Sequence, residues 1–329
     1  MKLAWRVAKF LADGRHYSIG DIAEGLDVSR LVVNRAARAL DDAGLDVHYE
    51  EGKSLQLRDP VEWLDSDLIL AEIGAPAQAI MESFDVVEEV SSTNERLISR
   101  GPPEAGKVTV CLSEYQSGGR GRRGRKWQSP PGAGIYLSLG WLFESQPQQL
   151  AALGLVAGLT MRQTLLDAGA SDIMLKWPND LTCNDDKLGG VLSELRSDGN
   201  GPAFVVLGVG VNFRLPKRTR DGIIKAGGLV PTDLAEVFGS EAPGRNQIAG
   251  KLTGDLIETL QRFDSDGFAP WQADWAEADC LIDRFVRVSG WGGNFSGTAK
   301  GIDEDGALRI DVRGEMRSVV AGDVTVRPE

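Results

Sequence analysis

Residues 113–139 read SEYQSGGRGRRGRKWQSPPGAGIYLSL. A strand-like start runs into a glycine-rich loop and returns through the strand-like IYLSL. Inside the loop, Arg120 to Lys126 (RGRRGRK) holds five basic residues in seven positions. Glycines let backbone N–H groups come close to a ligand, and arginines supply planar forks of donors that match phosphate or carboxylate. The stretch is not a P-loop, because GxxxxGK followed by Ser or Thr is not present. It implies a sheet with an anion-gathering loop at the end of a strand. Taken alone, the same stretch also fits a solvated surface loop or an RNA-binding arginine–glycine segment.

Around this loop the chain is acidic: 36 Lys and Arg against 48 Asp and Glu give a net charge of −12 over 329 residues. Binding a phosphate backbone needs a basic face, so nucleic acid is excluded as the partner of the whole molecule. A concentrated positive loop in a negative chain points instead to a small anionic ligand. Hydrophobic content of 42% and charged content of 26% describe a soluble globular protein, and the length implies two or three cores. No run approaches the roughly 18 apolar residues of a membrane span, and the start lacks a signal-peptide cleavage pattern. A cytoplasmic protein with no membrane partner is expected. The only histidines, His16 and His48, lie in the first 50 residues, and Cys111, Cys183 and Cys280 are far apart with no CxxC spacing. This removes Ser-His-Asp and Cys-His hydrolysis, histidine-ligated metals and a disulfide framework. No protein metal site is expected.

Working outward, residues 2–13 place Leu3, Val7, Phe10 and Leu11 on one helical face. Ser18 is positioned to cap a short second helix broken near Asp27, and Ser29 to cap a third from Arg30 to about Ala43, ended by Gly44. Leu45 to Leu57 alternates around Glu51-Gly52 as a hairpin. Helix, turn, longer helix and hairpin make a winged helix-turn-helix over 1–62. Its candidate DNA-reading residues are Arg30, Asn34, Arg35 and Arg38. Residues 1–60 carry nine basic and ten acidic side chains, net −1, and the remainder 27 and 38, net −11. The front unit is thus nearly neutral, which favours DNA but forbids strong affinity from one copy. A helical dimerisation or partner-binding module is the alternative. Residues 63–82 read as a partly helical connector, 83–278 as strands alternating with helices in a mixed sheet, and 279–329 as several short strands with glycine turns, a small β-barrel.

Two further stretches carry polar residues at strand ends. LKWPNDL (175–181) with KLGGVLSEL (187–195) offers Lys176, Asn179, Asp180 and Lys187, two of them cations able to balance charge on phosphorus. LGVGVNF (207–213) puts Asn212 just after a buried strand. The plainer reading of the first is a turn packed by Trp177-Pro178 and capped by Asn179-Asp180.

The order STN (92–94), EYQ (114–116), GRGRRGRKW (119–127), KWPND (176–180), KLGG (187–190) and GVGVN (208–212) closely resembles the biotin–protein ligase family. KLGG stands where KLAG is often seen, with no chemical consequence expected. With its helix-turn-helix front and β-barrel tail, the whole chain resembles the bifunctional bacterial form that is also the biotin operon repressor. The implied fold is α+β: an N-terminal winged helix-turn-helix, a central mixed-sheet catalytic domain and a C-terminal small SH3-like β-barrel. The resemblance places biotin among Ser92, Thr93, Asn94, Gln116, Arg120, Gly121, Arg122 and Lys187, and the adenylate near Gly119, Trp127, Asn179 and Asn212. Arg122, Lys187, Lys176 and Asp180 become the catalytic set. It further implies ATP and Mg²⁺, a biotinyl-5′-AMP intermediate held under a closing loop, and transfer to a lysine of the biotin carboxyl carrier protein of acetyl-CoA carboxylase or another carboxylase. Operator DNA and a homodimer formed with biotinyl-AMP bound are the remaining implied partners. A lipoate or octanoate ligase, and a ligand-sensing regulator without turnover, are the competing readings.

Overall fold

The computed structural model describes residues 2–50, 53–144, 149–197, 201–290, 293–321 and 324–328. The first helix, α1 (Lys2–Phe10), buries Ala4, Trp5, Val7 and Ala8 along one face. After β1 (Tyr17–Ser18), the Ser18 hydroxyl accepts a hydrogen bond from Asp21 N at 3.0 Å and caps α2 (Ile19–Gly25). Asp27, at φ 54°, redirects the chain into α3 (Arg30–Asp42). Gly44, at φ 105°, takes the chain out of the helix through a conformation that glycine tolerates best. Ser29 occupies the N-cap position of α3 without a side-chain bond. Strands β2 (Val47–Glu50) and β3 (Ser54–Leu57) pair antiparallel as the wing, and β3 also pairs with β1. The expected turn at Glu51-Gly52 lies outside the described residues. Leu11, Ile22, Val33, Leu40 and Leu55 close a core of their own.

Next come α4 (Ser66–Glu72) and α5 (Ala75–Ala79). The central unit continues through β4 (Met81–Val90), α6 (Thr93–Arg100), β5 (Val108–Gln116), β6 (Gly134–Phe143), α7 (Leu153–Asp167), β7 (Ile173–Lys176), β8 (Asp180–Cys183), β9 (Asp186–Ser197) and β10 (Ala203–Asn212). It is completed by α8 (Lys217–Lys225), α9 (Leu234–Phe238), α10 (Arg245–Asp266) and α11 (Gln272–Ala278). The seven strands lie in the order β4-β5-β6-β10-β9-β8-β7, with β4 and β5 parallel and every other neighbour pair antiparallel. Helices α7 and α10 pack together over the sheet through Leu153, Val156, Leu252, Leu256 and Leu260, all buried.

The connector expected at 63–82 is drawn into this core, where Ile69, Ile73 and Ala77 are buried. It lies against α10 at Gly250, where an added Cβ would stand 2.5 Å from Ile69 O. The C-terminal strands β11 (Phe285–Gly290), β12 (Gly293–Ile302), β13 (Leu308–Val312), β14 (Glu315–Val319) and β15 (Val324–Pro328) form an antiparallel sheet ordered β14-β13-β12-β11-β15. Its Val286, Val288, Leu308 and Ile310 share one continuous core with the central sheet. Trp177 Nε1 donates to Gly306 O at 3.0 Å across that junction.

Candidate active site

The site is built on β10, where alternate residues face one side of the sheet. A Cβ at Gly208 would fall 2.2 Å from Asn94 Oδ1, and one at Gly210 would fall 2.8 Å from the Trp127 ring. These two glycines therefore make room for Asn94 from the start of α6 and for Trp127 from the basic loop. Asn94 spreads its amide over three adjacent strands. Its Oδ1 lies 2.6 Å from the Ser138 hydroxyl on β6, and its Nδ2 donates to Leu192 O (3.2 Å) and Glu194 Oε2 (2.8 Å) on β9. Beside it, Thr93 N and Oγ1 donate to Gln116 Oε1 at 2.9 and 3.2 Å, and Gln116 Nε2 donates to Ser129 Oγ at 2.9 Å. Ser92, Thr93, Asn94 and Gln116 are all buried. These four side chains are uncharged and between them offer both donors and acceptors.

Trp127 divides them from a cationic end. Lys187 Nζ sits 5.4 Å from the centroid of the Trp127 ring and is ion-paired with Asp180. Arg122 Nη1 lies 3.5 Å from Asn179 Oδ1, whose own Nδ2 donates to Val191 O at 2.7 Å. Asn212 Nδ2 donates to Lys187 O and Thr232 O at 3.2 and 2.9 Å, which fixes the ends of β9 and β10 together. The basic loop folds back on itself: Gly121 N donates to Arg125 O at 2.7 Å, Trp127 N to Gly119 O at 2.9 Å, and Arg120 pairs with Lys126. Arg123 (φ 60°) and Gly124 (φ 68°) form its tip. One cavity runs under this loop from the neutral to the cationic end.

Family comparison settles what kind of protein carries this cavity. The Biotin/lipoate A/B protein ligase family model matches residues 86–212, and the Biotin protein ligase C terminal domain model matches residues 281–327. The "Bifunctional ligase/repressor BirA" of Salmonella typhimurium is 35% identical over 318 residues, covering 96% of this chain and 95% of the relative. The protein of the same description from Escherichia coli is 33% identical over 98% of this chain and 96% of its own length. The chain belongs to the biotin/lipoate protein ligase family. Among solved structures, the biotin protein ligase from Aquifex aeolicus in complex with biotin and ATP superposes with a TM-score of 0.62 at 27% identity, covering 75% of this chain and 100% of that one.

Within this ligase-family fold the residues singled out from the sequence divide by place. Ser92, Thr93, Asn94, Gln116, Arg120, Gly121, Arg122, Trp127, Asn179, Lys187 and Asn212 line the one cavity. Lys176 and Asp180 open instead onto an adjoining pocket that shares Arg122, Arg125 and Asn179 with it. Gly119 lies beneath the loop rather than on the cavity wall, and a Cβ there would stand 2.6 Å from Trp127 O. Sequence reading missed the far wall, which comes from Ile223 in α8 and from Gly228, Leu229 and Pro231 in the segment after it. That segment reaches the site because Lys187 N donates to Val230 O and Thr232 N to Lys187 O, a pairing that no local pattern announces. It also missed Glu194, whose carboxylate lies 3.8 Å from Arg120 Nη1.

Burial pushes the Cys111 thiol up to about 12 and that of Cys280 up to about 11, so neither is a thiolate nucleophile near neutrality. His16 and His48 meet edge to face at 6.4 Å in the front unit. On α3, Arg30, Arg35 and Arg38 are exposed, while Asn34 is half-buried and donates to Arg30 O at 3.0 Å. The last turn of that helix is held by Arg218, whose guanidinium donates to Asp41 Oδ1 and Leu45 O, both at 2.8 Å.

Proposed function

We propose that the chain is an ATP-dependent biotin–protein ligase that forms biotinyl-5′-AMP and passes biotin to a lysine of a biotin carboxyl carrier protein, and that its front unit is a biotin-responsive repressor. The observation that carries this is a single cavity with a neutral donor–acceptor end and a cationic end on either side of Trp127. A ureido ring needs both donors and acceptors, which Thr93, Asn94, Gln116 and Ser92 provide. A phosphate next to an acyl group needs cations, which Arg122 and Lys187 provide, and we assign Trp127, Asn179 and Asn212 to the adenylate. The biotin carboxylate attacks the α-phosphorus of ATP and pyrophosphate departs, while Lys187 and Arg122 offset the charge that develops. The mixed anhydride formed is sensitive to water, and the loop from Gly119 to Trp127 covers it until the carrier lysine attacks the acyl carbon and AMP leaves with the bonding pair of the broken C–O bond.

Among the described residues no cluster of three or more His, Cys, Asp or Glu could hold a metal ion. On this reading Mg²⁺ enters as the ATP complex, held chiefly by phosphate oxygens, with Asp180, the partner of Lys187, as the nearby carboxylate. No described helix is long and apolar enough to cross a membrane, and we place the protein in the cytoplasm, where ATP and carrier are. A lipoate ring offers no hydrogen bonds to the neutral end and would leave its buried groups unpaired. The test is to incubate the protein with ATP, an apo carrier domain and either biotin or lipoate, and to measure covalent modification. Biotin incorporation with little lipoate incorporation is expected; the reverse preference, or neither, refutes the ligase reading.

Gly208→Ala is expected to raise the biotin Kd by at least tenfold, because the new Cβ and Asn94 Oδ1 cannot both occupy their places and the amide is driven out of its three-strand seat. Calorimetric titration with biotin checks it, and unchanged affinity would count against the placement of Asn94 at the ring.

The front unit is nearly neutral, so one copy binds weakly and a two-fold dimer on paired half-sites is the effective form. We infer that biotinyl-AMP promotes this dimer. Gel-shift titration on DNA upstream of biotin-synthesis genes should tighten with biotin plus ATP and weaken when apo carrier is added. Arg35→Ala with Arg38→Ala should abolish the shift; retained binding would refute the assignment of α3 as the reading helix.

A further inference from the structure

We infer that Glu194, which the family motifs pass over, is a positioning residue of this site: it sets the orientation of the Asn94 amide toward the ligand and tethers the start of the basic loop through Arg120. The inference rests on the biotin ligase reading. An ionised carboxylate only accepts hydrogen bonds. Asn94 must therefore turn its Nδ2 toward Glu194 Oε2, 2.8 Å away, where the same nitrogen also donates to Leu192 O. Both amide hydrogens are then committed to β9. The Oδ1 is left on the opposite side, beside the Ser138 hydroxyl, with a lone pair for a ligand N–H. Glu194 thereby makes this position an acceptor, which a ureido N–H satisfies and a second acceptor does not.

The same carboxylate faces the loop. Its Oε1 lies 3.8 Å from Arg120 Nη1, and Arg120 pairs with Lys126 across the loop stem. On the other side, Gln116 holds Ser129, whose hydroxyl donates to Trp127 O at 3.4 Å. Both stems of the loop are therefore wired to the neutral end of the cavity, the first of them through Glu194. A ligand that engages Asn94 and Gln116 is read by groups that also hold the cover in place.

The test uses the full-length protein as wild type, Glu194→Gln, Glu194→Asp, Arg120→Ala and the double Glu194→Gln/Arg120→Ala, with biotin-dependent ATP–pyrophosphate exchange and the release rate of preformed biotinyl-AMP as readouts. In Glu194→Gln the side chain can donate as well as accept, so the Asn94 amide loses the stronger of the two acceptors that orient it and keeps only the Leu192 carbonyl at 3.2 Å. The biotin KM is expected to rise about tenfold, with kcat within twofold of wild type, as for loss of a charge-assisted hydrogen bond in the ground state. Glu194→Asp, which keeps the charge but shortens the reach, should raise KM similarly. Adenylate release should quicken about threefold in Glu194→Gln and in Arg120→Ala, and no further in the double variant, as for one exposed ion pair removed from either side. An unchanged KM in both Glu194 variants, or release effects that multiply in the double variant, overturns the inference. Absence of biotin-dependent exchange in the wild-type protein would instead overturn the ligase reading itself.

Discussion

Lys187→Ala is expected to slow biotinyl-adenylate formation by about 10² to 10³, the loss typical when a group aimed at developing charge is removed. Lys187 stands at the point where the cavity changes character, its ammonium against the face of Trp127 and ion-paired with Asp180. Both partners are largely shielded, with side chains 21% and 16% exposed, so the charge on each acts at short range through little water. On the proposed reading, removing the lysine does two things: it takes a cation from beside the α-phosphate, and it leaves Asp180, on the adjoining pocket, without the partner that balances its negative charge. The double variant Lys187→Ala/Asp180→Asn should consequently be faster than Lys187→Ala alone. Single-turnover pyrophosphate release measures both, and a wild-type rate in Lys187→Ala would remove this residue from the catalytic set.

The second large effect is on stability. Arg245 opens α10 fully buried, its guanidinium bonded to Glu114 Oε2 at 2.7 Å, to Gly134 O at 2.8 and 3.1 Å, and to Glu62 O at 3.1 Å. Its backbone N donates to the Glu62 carboxylate, which also accepts from the Asn246 side chain at 2.7 Å. One arginine thus joins Glu62, just ahead of the connector, with two strands of the central sheet and helix α10. Arg245→Met should destabilise the central unit by about 3–5 kcal/mol, because Glu114 would remain as a buried charge without its partner. Adding Glu114→Gln to Arg245→Met should restore part of the loss. Urea denaturation followed by tryptophan fluorescence reads it; a midpoint within error of wild type would show that the pair contributes little.

What the sequence disclosed and what it hid follow from the range of the interactions involved. The front unit was legible because its signals are local: a serine cap at Ser18, a stop at Gly44 and an apolar stripe on each helix. The motif residues from Ser92 to Asn212 were legible as a set because their chemistry is specific, although spacing alone left each open to a bland structural role. Helix α10 was not singled out, and its glycines explain why. Gly250 and Gly254 lower helix propensity, and only the packing of α4 and α5 against them shows that close approach is their purpose. The far wall of the cavity and Glu194 were invisible for a related reason. Pro231 reaches Lys187, and Glu194 reaches Asn94, across separations of 44 and 100 residues, which no period records. The glycines of GVGVN were noticed as permitting close approach, but it took the fold to show that what approaches is Asn94 and Trp127.

The division of hydrophobic cores bears on ancestry. Among the described residues the C-terminal strands share their interior with the central sheet, so a gene that lost them would leave an apolar face of the enzyme open to water. The front unit is different: its core closes on itself, and it meets the rest through edge contacts such as Trp5 against Trp63 and Lys9 with Glu88. Fusion or loss of coding sequence ahead of Val61 could join or detach this unit while leaving the interior of the enzyme as it is. Transcriptional control can on this architecture be gained or shed by a lineage as one cassette, whereas the β-sheet tail must be inherited together with catalysis.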